Sequence, residues 1–161
     1  MRSHSQAPGA AAAAWALSGI AVLFLFAAVR LGSSGLATVR AGLGIGEWAA
    51  LIVLTVLFVY GEGRRALQQR WVPRVIMRAS DLRRQQGVLY RLLAPLYGLS
   101  LIGASPRNVL RAWCLSAAIL VAVLVVRTFP EPWRGITDLA VASALVWGLA
   151  AMAARAHEAF R

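Results

Sequence analysis

The sequence contains no lysine, a single cysteine, two histidines and only six acidic residues among its 161 residues. With Cys114 alone, no disulfide can form within the chain. His4 and His157 lie in the terminal tails without a second ligand near them in sequence, so we expect neither a metal site nor a Ser-His-Asp triad. The stretch from Gly42 to Gly46 lacks the basic residue and the hydroxyl of a nucleotide-binding loop, so we expect no nucleotide cofactor.

Arginine and long uncharged runs dominate the composition instead. All 17 basic residues are arginine, the formal net charge is +11, and 60% of the residues are hydrophobic. Soluble domains are about 45–50% apolar. The apolar residues form runs rather than an alternating pattern, which predicts helices that cross a membrane. Because no soluble domain presents the charge, we expect the arginines to meet anionic lipid and not nucleic acid.

Four runs are long enough to cross a bilayer, since a helix of about 20 residues spans ~30 Å. They cover residues 10–29, 42–61, 108–126 and 135–154. A cleaved signal peptide is the competing interpretation of the first run. The run is longer than the apolar core of a signal peptide, and Arg30 follows the run directly. Residues 31–41 contain glycine and serine and are expected to form a loop. The prediction is an all-α integral membrane protein with a single membrane domain and four transmembrane helices.

A basic segment, residues 62–104, separates the second run from the third. One apolar stripe on a helix is predicted by residues that recur at spacings of four and three: Leu67, Trp71, Val75, Ala79 and Leu82. Pro73 is expected to kink or break this helix. We expect the two pieces to lie in the membrane interface, with the arginines toward phosphates and Trp71 inserted.

Residues 88–104 can be interpreted in two ways. After Arg91 the chain is uncharged up to Arg107, but Pro95, Gly98 and Gly103 interrupt it. A run of this length is typical of an interfacial, re-entrant or buried element. A fifth span is the alternative, but it would divide the arginines between two compartments. We therefore predict an amphipathic or re-entrant element.

The arginines also predict the orientation. With four spans, thirteen lie on the side of the termini and the basic segment, and four lie on the other: Arg30, Arg40, Arg127 and Arg134. The positive-inside rule then places both termini and the basic segment in the cytoplasm. Abundant alanine, with arginine in place of lysine, is typical of a GC-rich bacterial coding sequence, so we expect the inner (cytoplasmic) membrane.

Small residues predict two faces for helix packing. Ala140, Ala144 and Gly148 recur every four residues on the fourth run, and Gly42 and Gly46 are spaced in the same way at the start of the second. These faces would contact other membrane subunits or a second copy of the chain. The alternatives are a chance alignment of common alanines for the first face and a flexible turn for the second.

The candidate binding site lies where the second run ends. It combines one carboxylate, four arginines and two other hydrogen-bonding side chains: Tyr60, Glu62, Arg64, Arg65, Gln68, Arg70 and Arg74. Glu62 and Arg65 are three residues apart and are expected to pair on a helix. Guanidinium groups grip phosphate at two points, so the pattern predicts a site for an anionic head group. The alternative is that the arginines only set the orientation.

Two short stretches resemble known membrane proteins. Residues 60–68, Tyr-x-Glu-Gly-x-x-Ala-x-Gln, are similar to a stretch in a group of uncharacterised small membrane proteins, which implies no function. Residues 65–69, Arg-Ala-Leu-Gln-Gln, resemble the Arg-Ala-x-x-Asn stretch of the four-helix membrane enzymes of glutathione and eicosanoid metabolism. That family has the motif after its first helix and follows it with asparagine and glutamate. Neither is present here, so the resemblance implies no glutathione site.

These features together predict a small accessory or structural membrane subunit. It would pack with partner helices and bind anionic phospholipid, or an acidic partner, through its arginines. An enzyme that processes or transfers lipid near Glu62 is the alternative. A small transporter component is a further one, although an ionisable residue in the middle of a span, its usual marker, is missing. We expect no catalytic residue, metal or other cofactor.

Overall fold

A computed structural model describes residues 7–82 and 92–160 of the protein. In these two ranges every regular element is a helix. In chain order they are α1 (Ala7–Ala41), α2 (Ile45–Phe58), a π-helix (Val59–Trp71), α3 (Val72–Asp81), α4 (Ala94–Gly98), α5 (Pro106–Arg127), α6 (Trp133–Arg155) and a 3₁₀-helix (Ala156–Phe160). The predicted all-α fold is confirmed for this part of the chain.

Four helical segments are long and apolar enough to cross a membrane. They are Gly9–Ala41, Ile45–Asp81, Pro106–Arg127 and Trp133–Phe160. Each contains most or all of one of the four predicted runs, so the prediction of four such helices is confirmed. Their length and composition indicate a multi-pass membrane protein.

Helix α6 is the centre of the bundle. It packs against α1, α2 and the π-helix. It runs antiparallel to α1, because Gly135 near its start lies against Thr38 and Ala142 lies against Gly32. Helix α5 differs from the others, since it buries none of its residues and meets the bundle mainly at α6.

The predicted loop at residues 31–41 is wrong, because α1 continues without interruption to Ala41. The small residues there allow two helices to approach closely, as they do in other membrane bundles. A Cβ atom added at Gly35 would lie 2.5 Å from Cβ of Leu139 and 2.8 Å from the carbonyl oxygen of Gly135. The hydroxyl of Ser33 donates to the carbonyl of Arg30 at 2.8 Å, which satisfies this polar group within the helix.

The turn between α1 and α2 occupies only three residues, 42–44. Gly42 has a φ of 98°, in the left-handed region that glycine adopts without steric cost. The start of α2 at Ile45 is held by Glu47, whose carboxylate accepts a hydrogen bond from the backbone N–H of Gly44 at 2.7 Å. The second span therefore begins three residues later than predicted. Of the predicted packing face, Gly42 belongs to the turn and Gly46 to α2.

The second span also does not end at residue 61. Residues 45–81 form one continuous helical rod, in which α2 passes into the π-helix and the π-helix into α3. Pro73, predicted to kink or break the helix, does not break it and lies in the first turn of α3. A proline is tolerated there, since the first turn of a helix lacks the hydrogen bond that proline cannot make.

Of the predicted element at residues 88–104, residues 88–91 lie outside the described part of the chain. The remainder forms α4 and its flanking turns, which pack on α1. Gly98 lies against Ile20, and Trp15 Nε1 donates to the carbonyl of Leu92 at 3.3 Å. Ala94 and Tyr97 are buried. The segment is therefore held against the bundle, and its interfacial or re-entrant position in a membrane stays a prediction.

The main apolar core lies at the end of the bundle where α1 begins and α6 ends. Helices α3 and α4 complete it. Its largest fully buried side chains are Ile20, Val72, Val75 and Leu82. Residues 156–160 form the 3₁₀-helix, and its Ala159 is buried in the same core.

Candidate functional site

The arginines of the predicted site lie on or just after the π-helix, which is 13 residues long. A π-helix bonds residue i to residue i+5 and is wider than an α-helix; it usually occurs as a single turn, frequently at functional sites. Residues that face the bundle recur here every four positions, at Gly63, Leu67 and Trp71. In an α-helix each step of four overshoots a turn by about 40°. In the wider π-helix a step of four residues falls short of a full turn. The inward-facing positions therefore rotate one way around the π-helix and the other way around α3, so the apolar stripe stays on one side of the rod.

The π-helix decides where the charges point. If the rod were α-helical throughout, the residues seven and eleven positions after Gly63 would share its side. Those residues are Arg70 and Arg74, and they would face α6. In the structure both are exposed, whereas Val72 and Val75 are buried. The wide turns therefore place apolar residues in the bundle and leave the arginines outside it.

The π-helix is held to α6 by interlocking contacts. A Cβ atom at Gly63 would lie 3.2 Å from Cβ of Trp147, and one at Gly148 would lie 2.6 Å from Leu67 Cδ1. Trp147 Nε1 donates to Gln68 Oε1 at 2.9 Å. Gln68, predicted to bind a ligand, thus bonds the two helices together. A shallow open groove of about 150 Å³ lies beside this bond, lined by Gln68, Trp147, Ala150 and Ala151.

Four arginines form an exposed set that we call the arginine face: Arg64, Arg65, Arg70 and Arg74. Arg64 lies over the ring of Tyr60, with its guanidinium carbon 5.7 Å from the ring centroid. Arg74 Nε donates to the carbonyl of Arg70 at 2.7 Å. Within residues 7–82 and 92–160 the one salt bridge joins Arg155 to Glu158. No carboxylate in these ranges therefore forms a salt bridge with the arginine face.

Glu62 and Arg65 do not form the expected ion pair, although both are exposed. The expectation assumed an α-helix, on which residues three apart are neighbours. On the wider π-helix, residues three apart point in more different directions. Of the two glycines beside Glu62, Gly63 packs against Trp147, whereas nothing lies within 4 Å of the position that a Cβ atom of Gly61 would occupy.

The predicted apolar stripe faces inward but is covered by protein and not by lipid. Val75, Ala79 and Leu82 are buried in the core. Trp71, expected to insert into the membrane interface, stacks on Phe24 of α1 with ring centroids 4.9 Å apart and an angle of 12° between the rings. The stripe thus attaches the basic rod to the bundle.

Arg78 has a role that the sequence analysis did not foresee. Its Nε donates to the carbonyl of Tyr97 at 2.7 Å, and its Nη2 donates to the carbonyl of Ile102 at 2.9 Å. Its guanidinium carbon also lies 4.0 Å from the centroid of the Tyr97 ring. Arg78 therefore ties α3 to α4 and to the turn that follows it. Only the folded chain reveals this, because the acceptors are backbone groups at least 19 residues away.

The predicted packing residues separate into two groups. Ala140, Ala144 and Gly148 are all buried within the chain's own bundle, with Gly148 against Leu67. Gly42 and Gly46 have nothing within 4 Å of the position that a Cβ atom would occupy. The first three residues therefore pack within the protomer, and their contact with another subunit stays a prediction.

Asp138 on α6 is a buried carboxylate with 8% exposure. It was not among the predicted site residues. It makes no hydrogen bond or salt bridge within the described ranges. Its signal in the sequence was present: it is the only acid between Gly135 and Ala154, inside an apolar run. Asp138 lies near the start of the predicted run 135–154, so it is not the ionisable residue in the middle of a span that marks a transporter.

No cluster of three or more histidine, cysteine, aspartate or glutamate side chains in the described part of the chain could hold a metal ion. The features that could engage a ligand are therefore the arginine face and Asp138. Comparison with protein-family models, with curated proteins and with solved structures finds no match, so proposals about this chain rest on its own residues.

Proposed function

We propose that the protein is a non-enzymatic accessory subunit of a bacterial inner membrane, and that its arginine face binds the phosphate groups of anionic phospholipid at the cytoplasmic surface. One observation carries the proposal. Four exposed arginines without a carboxylate partner lie on a helix that continues directly from an apolar span.

The rod supports this function by its geometry. Helix α2 and the π-helix are continuous, so the depth of α2 in a bilayer sets the depth of the arginines. Tyr60, at 55% exposure, lies one residue into the π-helix, where an aromatic ring suits the membrane interface. The contacts of Gly63 and Leu67 with α6 keep the rod from rotating.

The charge supplies a general attraction to anionic lipid. An arginine near an anionic leaflet contributes about 1 kcal/mol, so four contribute about 4 kcal/mol, and the effect falls off within a Debye length. Guanidinium forks add bidentate bonds to phosphate oxygens beyond this general attraction. The positive-inside rule places the same residues in the cytoplasm, with both termini.

The test replaces the arginine face by lysine at all four positions. Lysine keeps the charge but loses the planar fork, so orientation should persist while individually bound phospholipid is lost. The matched control carries lysine at the four arginines assigned to the opposite side: Arg30, Arg40, Arg127 and Arg134. Phospholipid retained through purification in mild detergent is identified and quantified by mass spectrometry.

Labelling controls for orientation in each variant. In a cysteine-free background, a cysteine at Thr128 should react with an impermeant reagent from the periplasm, and one at Ser105 only from the cytoplasm. If the lysine variant keeps the wild-type lipids at the correct orientation, the arginines are an orientation signal and the proposal is wrong. Loss of a co-purifying acidic protein with unchanged lipids would show an acidic partner as the ligand instead.

The enzyme alternative is separated by Glu62→Gln. The carboxylate makes no ion pair, so a lipid-binding function should tolerate the change. The lipid composition of cells expressing this variant should equal that of cells expressing the wild type. An altered lipid composition, at equal protein abundance, would favour lipid processing near Glu62.

A further inference from the structure

We propose that Asp138 is the binding site of a small monovalent cation, a proton or a sodium ion, inside the helix bundle. The site lies apart from the arginine face, and the proposal does not depend on lipid binding. Asp138 is 8% exposed and is the one buried charged residue in the described ranges.

The position of Asp138 places it beside α1. The residues three before and four after it, Gly135 and Ala142, share its side of α6. Gly135 packs against Thr38 of α1, and Ala142 lies 3.8 Å from the position that a Cβ atom of Gly32 would occupy. Asp138 is therefore at the edge of a close helix contact, where glycines bring α1 and α6 together.

The helix itself does not neutralise the carboxylate. Asp138 is five residues after Trp133, roughly 7.5 Å along the helix, beyond the first turn in which the helix dipole stabilises an anion. Backbone N–H groups at this position are engaged in the helix. The hydroxyl of the neighbouring Thr137 donates back to the carbonyl of Trp133 at 2.9 Å and is not available to the carboxylate.

The other charged groups of the elements packed on α6 are engaged elsewhere or exposed. At this end of the bundle they are Arg30 and Arg40 on α1, Glu47 on α2, Arg127 at the end of α5, and Glu131 and Arg134 beside the start of α6. None forms a salt bridge with Asp138. Glu47 accepts from the N–H of Gly44, and Glu131 accepts from the Thr38 hydroxyl at 3.0 Å. The charged residues of the π-helix are Glu62 and three arginines of the arginine face, and all of them are exposed.

A carboxylate removed from water without a counter-charge is very costly, so buried charges in proteins are paired, neutralised or bound to metal ions. No described residue forms an ion pair with Asp138, and a cation from solution would supply the counter-charge. The close contact of α1 with α6 excludes a large ligand. Ionisable residues within spans commonly mark paths for ions or protons, and a cation at Asp138 fits that role.

Chemical modification tests occupancy directly. The purified full-length protein is treated with dicyclohexylcarbodiimide, an apolar reagent that modifies carboxyl groups in apolar surroundings. We expect one adduct, mapped to Asp138 by peptide mass, and none in Asp138→Asn. If sodium is the ion, sodium chloride should lower the modification several-fold relative to choline chloride. If a proton is the ion, modification should rise as the pH falls and should be equal in both salts.

Thermal unfolding provides a second readout. A cation that binds the folded state stabilises it by mass action, so the Tm of the wild type should rise with sodium or with proton concentration. Asp138→Asn should lose that response, while Glu131→Gln, which alters an exposed carboxylate nearby, should keep it. Equal responses in the wild type and Asp138→Asn, or the absence of modification at Asp138 under every condition, would overturn the proposal.

Discussion

The contact of α1 with α6 at Gly35 leaves no room for a larger residue. A Cβ atom there would meet Leu139 Cβ at 2.5 Å, the Gly135 carbonyl oxygen at 2.8 Å and Leu139 Cα at 3.0 Å. Two of these three atoms belong to the backbone, so no rotamer change relieves the clash. In Gly35→Ala one helix must move away from the other.

The magnitude follows from two opposing effects. Alanine in place of glycine stabilises an unobstructed helix by up to about 1 kcal/mol. Overpacking a close contact costs about 1–3 kcal/mol, and a clash with backbone belongs at the upper end of that range. We therefore expect Gly35→Ala to lower the free energy of unfolding by about 2 kcal/mol, since about 3 kcal/mol of overpacking is offset by the gain in helix propensity.

Gly32→Ala is the matched control, because Gly32 lies on the same helix and faces the same partner. Its added Cβ atom would lie 3.8 Å from Cβ of Ala142, an ordinary contact, so the variant should be as stable as the wild type or more stable by up to about 1 kcal/mol. The free energies are measured by reversible unfolding with sodium dodecyl sulfate in mixed micelles. Equal stability of Gly35→Ala and Gly32→Ala would refute the close approach of α1 and α6.

Two further predictions concern single side chains. Arg78→Met removes two hydrogen bonds from a charged donor to backbone carbonyls, each of about 1.5–3 kcal/mol. The free energy of unfolding should fall by at least the value of one such bond, and amide hydrogen exchange around Tyr97 should accelerate. Unchanged exchange would contradict the contact of Arg78 with α4. Trp147→Phe keeps an aromatic ring against Gly63 but removes the bond to Gln68, so the expected loss is about 1 kcal/mol. If the free energy of unfolding lost in the double variant equals the sum of the losses in Gln68→Leu and Trp147→Phe, the two side chains do not form a direct bond.

The protein exposes its basic residues and buries its apolar stripe on the same helical rod. The stripe of α3 is buried against α1, α4 and the end of α6, and the arginines point away from it. If the rod were α-helical between Val59 and Trp71, this division would fail, because Arg70 would turn toward α6. The π-helix is therefore the element on which both the core and the arginine face depend.

The features that depend on composition and local order could be predicted without knowledge of the fold. Residues 10–29, 108–126 and 135–154 are uncharged or nearly so over the thickness of a bilayer, and they are helical because a chain in lipid must satisfy its own backbone hydrogen bonds. The inward stripe through Val75, Ala79 and Leu82 was also readable, since its spacing is a local property of a helix.

The features that depend on which helices meet could not be predicted from local patterns. Glycine and serine at residues 32–35 indicate a loop in isolation, but beside α6 they permit a close helix contact, and packing outweighs local propensity. The π-helix, the tie from Arg78 to α4 and the burial of Asp138 arise from partners far away in sequence. Local spacing cannot encode them, because the free energy that selects them comes from contacts that exist only once α6 lies against α1 and the rod.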